Sequence, residues 1–305
     1  MLLAVFKLVR PLNLLIIAST QILFHYFLIR PLLILNDSFT SLSSLQLIVL
    51  VLSTLLIAAG GYIINDIKDI KVDIINKPDK VIINNEVSRA QGLKFYVSLT
   101  ALGILLGIYL AYSIDIIAMG AIHFLSAGLL FFYSTSYKKI FLLGTFIISI
   151  ITALSILIVL LFDMNAMHNT VVVKFVFVFA LFSFLVSLVR EIIKDIEDIE
   201  GDRFQKAATL PLITSINTSK NVTAVLIGII ITFLLVFCRY LYYIVDYVSL
   251  AYVCIAIVLP LFILLYLVVN SFDKEHFSRA SALAKLIMVL GILYIPIFYL
   301  VLFKI

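Results

Sequence analysis

Apolar residues in this chain come in long runs rather than in alternation. Nine stretches, roughly 11–34, 45–65, 95–113, 116–136, 140–162, 172–193, 221–238, 247–270 and 284–303, approach or exceed the ~20 apolar residues a bilayer crossing needs. Runs without frequent turn signals predict helices, since the strands of a membrane barrel alternate lipid-facing and inward-facing positions. The expected fold class is all-α: a polytopic membrane protein with about nine transmembrane helices, read as a single domain over residues 1–305.

Composition agrees. The hydrophobic share is 64% and the charged share 13%, against roughly 45–50% and ~25% in soluble domains. A soluble fold of this length could not bury that surface. The first run follows a basic start but has no small-residue cleavage site after it, so a retained helix is expected rather than a signal peptide. Cys238 and Cys254 have neither metal-type spacing nor a disulfide framework.

A net charge of +5 raises the question of nucleic acid, which the distribution of the bases excludes. With nine spans and a cytoplasmic N-terminus, 18 of the 22 Lys and Arg residues fall on the cytoplasmic side. The other side receives only Arg30, Lys174, Arg239 and Lys304. That asymmetry orients a membrane protein, here in the cell (inner) membrane.

Charge then becomes specific. Asp66, Asp69 and Asp73 share the spacing D-x-x-D-x-x-x-D with Asp195, Asp198 and Asp202. On a helix those offsets fall within an arc of about 60°. Both sets lie on the same side of the membrane, in the two long connections near 66–94 and 194–220. The repeat hints at an internal duplication that brings the two sets face to face. A single D-x-x-D is ordinarily a solvated helix end, and Lys68, Lys71 and Lys194 can pair locally with the acids. Neither accounts for the repeated spacing. Carboxylate oxygens suit Mg2+, which bridges carboxylates to substrate phosphates. Lys77, Lys80, Lys138, Arg190, Lys194 and Lys206, on the same membrane face, would finish neutralising a diphosphate leaving group. "YSTSYKK", Tyr133 to Lys139, is a third candidate, although aromatic and lysine residues also serve as interfacial anchors.

"NDIKDIKVD", followed by "INKPDK", resembles the first aspartate motif of the UbiA superfamily of intramembrane prenyltransferases. "REIIKDIEDIEGD", with "TLP" after it, is similar to the second motif, "YSTSYKK" to the Tyr/Lys motif, and "RPLN" to the start of helix 1. The resemblance implies a bundle around a lipid-facing cavity, capped by the two aspartate-rich loops. It implies that Asp66, Asp69, Asp73, Asp195, Asp198 and Asp202 hold Mg2+. Asp66, Asp69, Asp195 and Asp198 would be the catalytic members. Asn13, Asn65, Asp73, Lys77, Lys80, Tyr133, Tyr137, Lys138, Arg190, Lys194 and Asp202 would contact substrate. The sequence departs from the family pattern in the Tyr133–Lys138 spacing, in Asn85 where glycine is frequent, and in Gly144-Thr145 where Gly-Asn is common.

The activity implied is transfer of an isoprenoid chain from a prenyl diphosphate, geranylgeranyl diphosphate by the motif wording, to a lipophilic acceptor within membrane lipids. "INKPDK" and "REIIKDIEDIEGD" are most similar to the branch whose acceptor is geranylgeranylglyceryl phosphate, in ether lipid synthesis. The alternative acceptor is aromatic: a naphthoate, a hydroxybenzoate or homogentisate. A cation transporter with an acidic vestibule is the rival from another class. It requires ionisable residues lining a path at mid-membrane depth, and the middles of most spans have none.

Overall fold

The structure, a computed structural model, describes residues 2–303. Nine helices long and apolar enough to cross a membrane are found among the described residues: α1 Pro11–Ile34, α2 Ser44–Asn76, α3 Arg89–Ser113, α4 Ile117–Thr135, α5 Leu143–Leu161, α6 Thr170–Glu197, α7 Ile216–Tyr243, α8 Tyr247–Asn270 and α9 Lys274–Phe303. Extended pairing among the described residues is confined to one bridge, Ile83 to Val87. The all-α expectation holds, and the chain is an integral membrane protein.

The helix ends differ from the hydropathy limits in an instructive way. α2 runs to Asn76, and α9 begins at Lys274 rather than near 284. At 1.5 Å per residue the 33 residues of α2 extend ~50 Å, well beyond a ~30 Å hydrocarbon core. Hydropathy registers only the apolar part, and the polar overhang carries Asp66, Asp69 and Asp73. Capping boxes start both helices of this hairpin, with Ser43 and Gln46 opening α2 and Ser88 and Gln91 opening α3. α1 and α8 each contain a π-helical turn, Phe24–Ile29 and Val253–Val258, just before Pro31 and Pro260. Proline lacks the N–H of a regular α turn, and the wider turn accommodates that loss.

α6 joins the two main cores. Its first half, with Val172, Val176 and Ala180, packs into a cluster with Phe24 and Leu28 of α1, Leu47 and Leu50 of α2, and Ile156 and Val159 of α5. Its second half, with Val186, Val189 and Ile193, packs with Ile227 of α7, Leu261 of α8 and Ile287 of α9. Many large side chains, such as Leu105, Phe124 and Ile255, are instead exposed on the outer surface, as a lipid-facing wall requires. Cys238 and Cys254, 16 residues apart in sequence, bring their sulfurs within 3.7 Å across α7 and α8.

The second aspartate set does not lie on one continuous helix. α6 ends at Glu197, Asp198 occupies the cap, and Asp202 sits on a separate short helix, Ile199–Phe204. Asn76 at the end of α2 ties this break to the first set. Its Nδ2 donates to the Asp198 carbonyl at 3.2 Å, and its Oδ1 accepts from the Gly201 N–H at 3.1 Å. Lys274 at the start of α9 donates to the Asn76 carbonyl at 2.7 Å. Only glycine fits at 201, since a Cβ there would stand 2.3 Å from Asn76 Nδ2 and 2.6 Å from Val72 Cγ1. Gly201→Ala is expected to destabilise the detergent-solubilised protein by ~1–3 kcal/mol in thermal unfolding, by forcing the two loops apart.

Candidate active site

The two aspartate sets face one another across a cavity of about 610 Å³ at one end of the bundle. Asp66, Asp69 and Asp73 line it from α2, and Asp195, Asp198 and Asp202 from the end of α6 and the short helix after it. Nine acidic residues line this chamber against five basic ones. Three of the carboxylates are held by cations that arrive from other elements. Arg10, just before α1, donates to Asp66 Oδ1 at 2.7 Å. Lys138, in the turn after α4, bonds to Asp69. Lys77, capping α2, lies 3.0 Å from the Asp198 carboxylate and 3.6 Å from Glu197.

The turn with Lys138 is placed by a second glycine. At Gly144 a Cβ would stand 2.6 Å from the Lys138 Cα, so any side chain would push that turn off α5. The next residue, Thr145, donates its hydroxyl to Asp195 Oδ2 at 3.3 Å. Threonine thus supplies one hydrogen bond at the position where the family pattern has asparagine.

Charge crowding shows in the groups at the chamber's outer edge. Burial pushes the Asp202 carboxyl up to about 6, with the nearby Asp198 and Asp69 charges adding to the effect against a hydrogen bond from Gln205. Burial disfavours the Lys77 ammonium, but Asp198, Glu197 and Asp73 together raise its pKa above the ordinary lysine value, so it stays charged.

A second cavity, about 280 Å³ and largely apolar, opens from the first into the bundle between α1, α2, α4, α5, α6 and α9. Arg10, Asn65, Tyr133, Glu191 and Lys194 line both cavities and mark their junction. Tyr133 is therefore the tyrosine of "YSTSYKK" that faces the site. Tyr137 lines neither cavity and stacks on the exposed Phe132, with ring centroids 5.6 Å apart. Arg190, expected near the diphosphate, lines the apolar cavity instead, as does Asn13, expected to contact substrate, and Lys206 lines neither. The side chain of Lys80 lies outside the described residues. Sequence reasoning passed over Arg10, Asn76, Glu191 and Lys285 as site residues. Arg10 was visible in "RPLN", Glu191 in "REIIKD" and Asn76 in "INKPDK", whereas nothing local marks Lys285, which acts across 272 residues of chain.

The oxygen-rich chamber fits Mg2+. Among the described residues no three acidic, histidine or cysteine side chains converge as a ready-made cage. Mg2+ needs none, since it keeps several waters and takes one or two carboxylates with substrate phosphates. Asn65 Oδ1 and Thr209 Oγ1 line the chamber as buried oxygens with no hydrogen-bond partner, donors of the type a hydrated cation satisfies.

The sequence profile of the UbiA prenyltransferase family matches residues 32–299. The chain belongs to that family. It is 32% identical over 236 residues to digeranylgeranylglyceryl phosphate synthase of Methanosphaera stadtmanae, covering 77% of this chain and 81% of that one. It is 33% identical over 193 residues to the enzyme of the same name from Sulfolobus acidocaldarius, covering 63% of this chain and 65% of the relative's length. The fold of this UbiA-family protein also superposes on a solved structure reported for digeranylgeranylglyceryl phosphate synthase in membranes, with a TM-score of 0.67, 25% identity and 97% of each chain covered. A UbiA homolog from Archaeoglobus fulgidus, solved with GPP and Mg2+, matches with a TM-score of 0.60 over 96% of this chain and 99% of that one; at 14% identity the likeness is one of fold.

Asp202 gives a prediction with a defined sign. Its folded-state pKa of about 6 lies above the ordinary 3.8, so its ionised form disfavours the folded state. That penalty is full above about pH 6 and fades as pH falls toward 3.8. Asp202→Asn is expected to stabilise the metal-free protein at pH 7.5 by ~1–2 kcal/mol, allowing for solvent screening of a half-buried group. Thermal unfolding at pH 7.5 and pH 4.5 reads the gain and its decline.

Proposed function

We propose that this protein is an Mg2+-dependent prenyltransferase that moves the geranylgeranyl chain of geranylgeranyl diphosphate onto geranylgeranylglyceryl phosphate. Its site faces the cytoplasmic side of the cell membrane. The observation that carries the reading is the apposition of Asp66, Asp69 and Asp73 with Asp195, Asp198 and Asp202 around one acidic chamber that opens into an apolar cavity. The identity to digeranylgeranylglyceryl phosphate synthases supports the acceptor class.

In this reading the diphosphate occupies the acidic chamber and the prenyl chain enters the apolar cavity. Bound Mg2+ would neutralise the negative charge that develops on the leaving diphosphate. Asp66, Asp69, Asp73, Asp195, Asp198 and Asp202 would hold it, with Asn65 as a neutral oxygen donor. Lys77 and Lys138 hold Asp198 and Asp69 in place and present ammonium groups to the phosphates. Tyr133 lines the junction of the two cavities, and its ring would stabilise positive charge developing on the allylic carbon there. The acceptor hydroxyl oxygen bonds to C1 of the prenyl group as the C1–O bond to diphosphate breaks, and the hydroxyl proton passes into the carboxylate-lined chamber. The apolar walls keep water from capturing the cation.

The test is transfer by purified, reconstituted protein given labelled geranylgeranyl diphosphate, Mg2+ and a panel of glycerol-phosphate and aromatic acceptors. The ether-lipid product is expected to form only with a divalent cation. Asp66→Ala and Asp198→Ala should each lower kcat by roughly 100- to 1,000-fold. Full activity in both variants, or in excess chelator, would sink the reading.

A further inference from the structure

The two cavities carry opposite charge. Acids dominate the chamber, whereas the apolar cavity is lined by Arg10, Arg190, Lys194 and Lys285 against a single acid, Glu191. Three of those cations have a carboxylate partner, but Arg190 and Lys194 share the single charge of Glu191. Arg10 is bound to Asp66, and Lys194 lies 3.7 Å from Glu191 Oε2. Arg190 donates through Nη1 to Glu191 Oε1 at 2.7 Å, which fixes its guanidinium, yet its Nε is buried with no partner. Lys285 donates to Asn13 Oδ1 at 2.5 Å, a neutral oxygen that leaves its charge uncancelled. Among the described residues no carboxylate pairs with Lys285.

Unbalanced cations on the wall of an apolar cavity are costly unless an anion meets them. The chamber's Mg2+-bound diphosphate is a poor candidate, because excess acid draws a metal complex to the chamber and not to a basic wall. A metal-free anion attached to an apolar chain fits the cavity's own form, a charged end on a greasy space. We propose that Arg190 and Lys285 bind the phosphate monoester of the acceptor lipid directly, without metal, on the wall of the apolar cavity beside the donor's prenyl chain. Guanidinium presents a planar donor fork suited to phosphate, and ammonium a point charge beside it. Glu191 and Asn13 are positioning residues for the two cations. The junction residues then lie between two head groups, the donor's diphosphate and the acceptor's phosphate, which sets the acceptor hydroxyl near C1 of the donor. A neutral acceptor would leave the Lys285 charge and the Arg190 Nε–H unmet, and a site built for a charged group discriminates strongly against an analogue lacking it.

The assignment rests on the prenyltransferase reading above, and the experiment separates the two. Steady-state kinetics of the reconstituted full chain would be measured with a glycerol-phosphate ether lipid, its dephosphorylated alcohol and a hydroxybenzoate as acceptors. The variants are Arg190→Gln, Lys285→Met and the conservative Lys285→Arg. The expected result is a ~10- to 100-fold rise in KM for the phosphate acceptor in the first two. Donor KM should change less than twofold, which also shows that the variants are folded, and Lys285→Arg should recover much of the loss. A rise in donor KM instead would place these cations on the diphosphate and overturn the assignment. So would wild-type preference for the alcohol, or for the aromatic carboxylate. Wild-type protein that transfers to no acceptor overturns the transferase reading itself, and this assignment with it.

Discussion

Carboxylates crowded at the edge of a membrane repel one another, and the architecture of this end of the bundle follows from that repulsion. Six aspartates from two helix ends share one chamber, and cations from three other places in the chain hold half of them. Arg10 holds Asp66, Lys138 holds Asp69 and Lys77 holds Asp198. Asp73, Asp195 and Asp202 form no ion pair among the described residues. The chamber therefore retains excess negative charge that a divalent cation entering with an anionic substrate would cancel. Burial makes each interaction matter more, since local dielectric is lower than in water.

The same constraint explains the loops. Two separate stretches of chain must be held close despite like charge, and uncharged contacts add to the Lys77–Asp198 ion pair in doing it. Asn76 bonds to both the Asp198 carbonyl and the Gly201 N–H, with glycine at 201 admitting the approach. The Ala208 N–H donates to the Lys139 carbonyl at 2.8 Å, fastening the second acidic loop to the turn that carries Lys138. The chamber is a joint of three loops, and the apolar cavity beneath it is the space their helices enclose.

Much of this is legible in the sequence because its signals are local. Membrane-length apolar runs mark the nine helices, and the repeated spacing from Asp66 and from Asp195 marks both halves of the chamber. What escapes is long-range or depends on where a helix ends. The polar start of α9 lies outside the apolar run read from 284, so Lys285 reads as the edge of a span, although it sits 11 residues into a helix and lines the apolar cavity. Arg190 is adjacent to Glu191 and close to Asp195, which groups it with the diphosphate site. Helical rotation instead aims it at the other cavity. Tyr133 and Tyr137 are equivalent in the motif, and only the end of α4 at Thr135 separates the one facing the site from the one stacked on Phe132.

The central claim is that both aspartate sets hold one metal–diphosphate complex. The most direct measurement is a structure of the protein with Mn2+ in place of Mg2+ and a non-ionising thiolodiphosphate analogue of the prenyl donor, with the metal located by its anomalous signal. The account predicts metal between the two sets, with ligands from both α2 and the Asp195–Asp202 segment and the diphosphate in the same chamber. Metal bound by one set alone, or a diphosphate seated on Arg190 and Lys285, would contradict it.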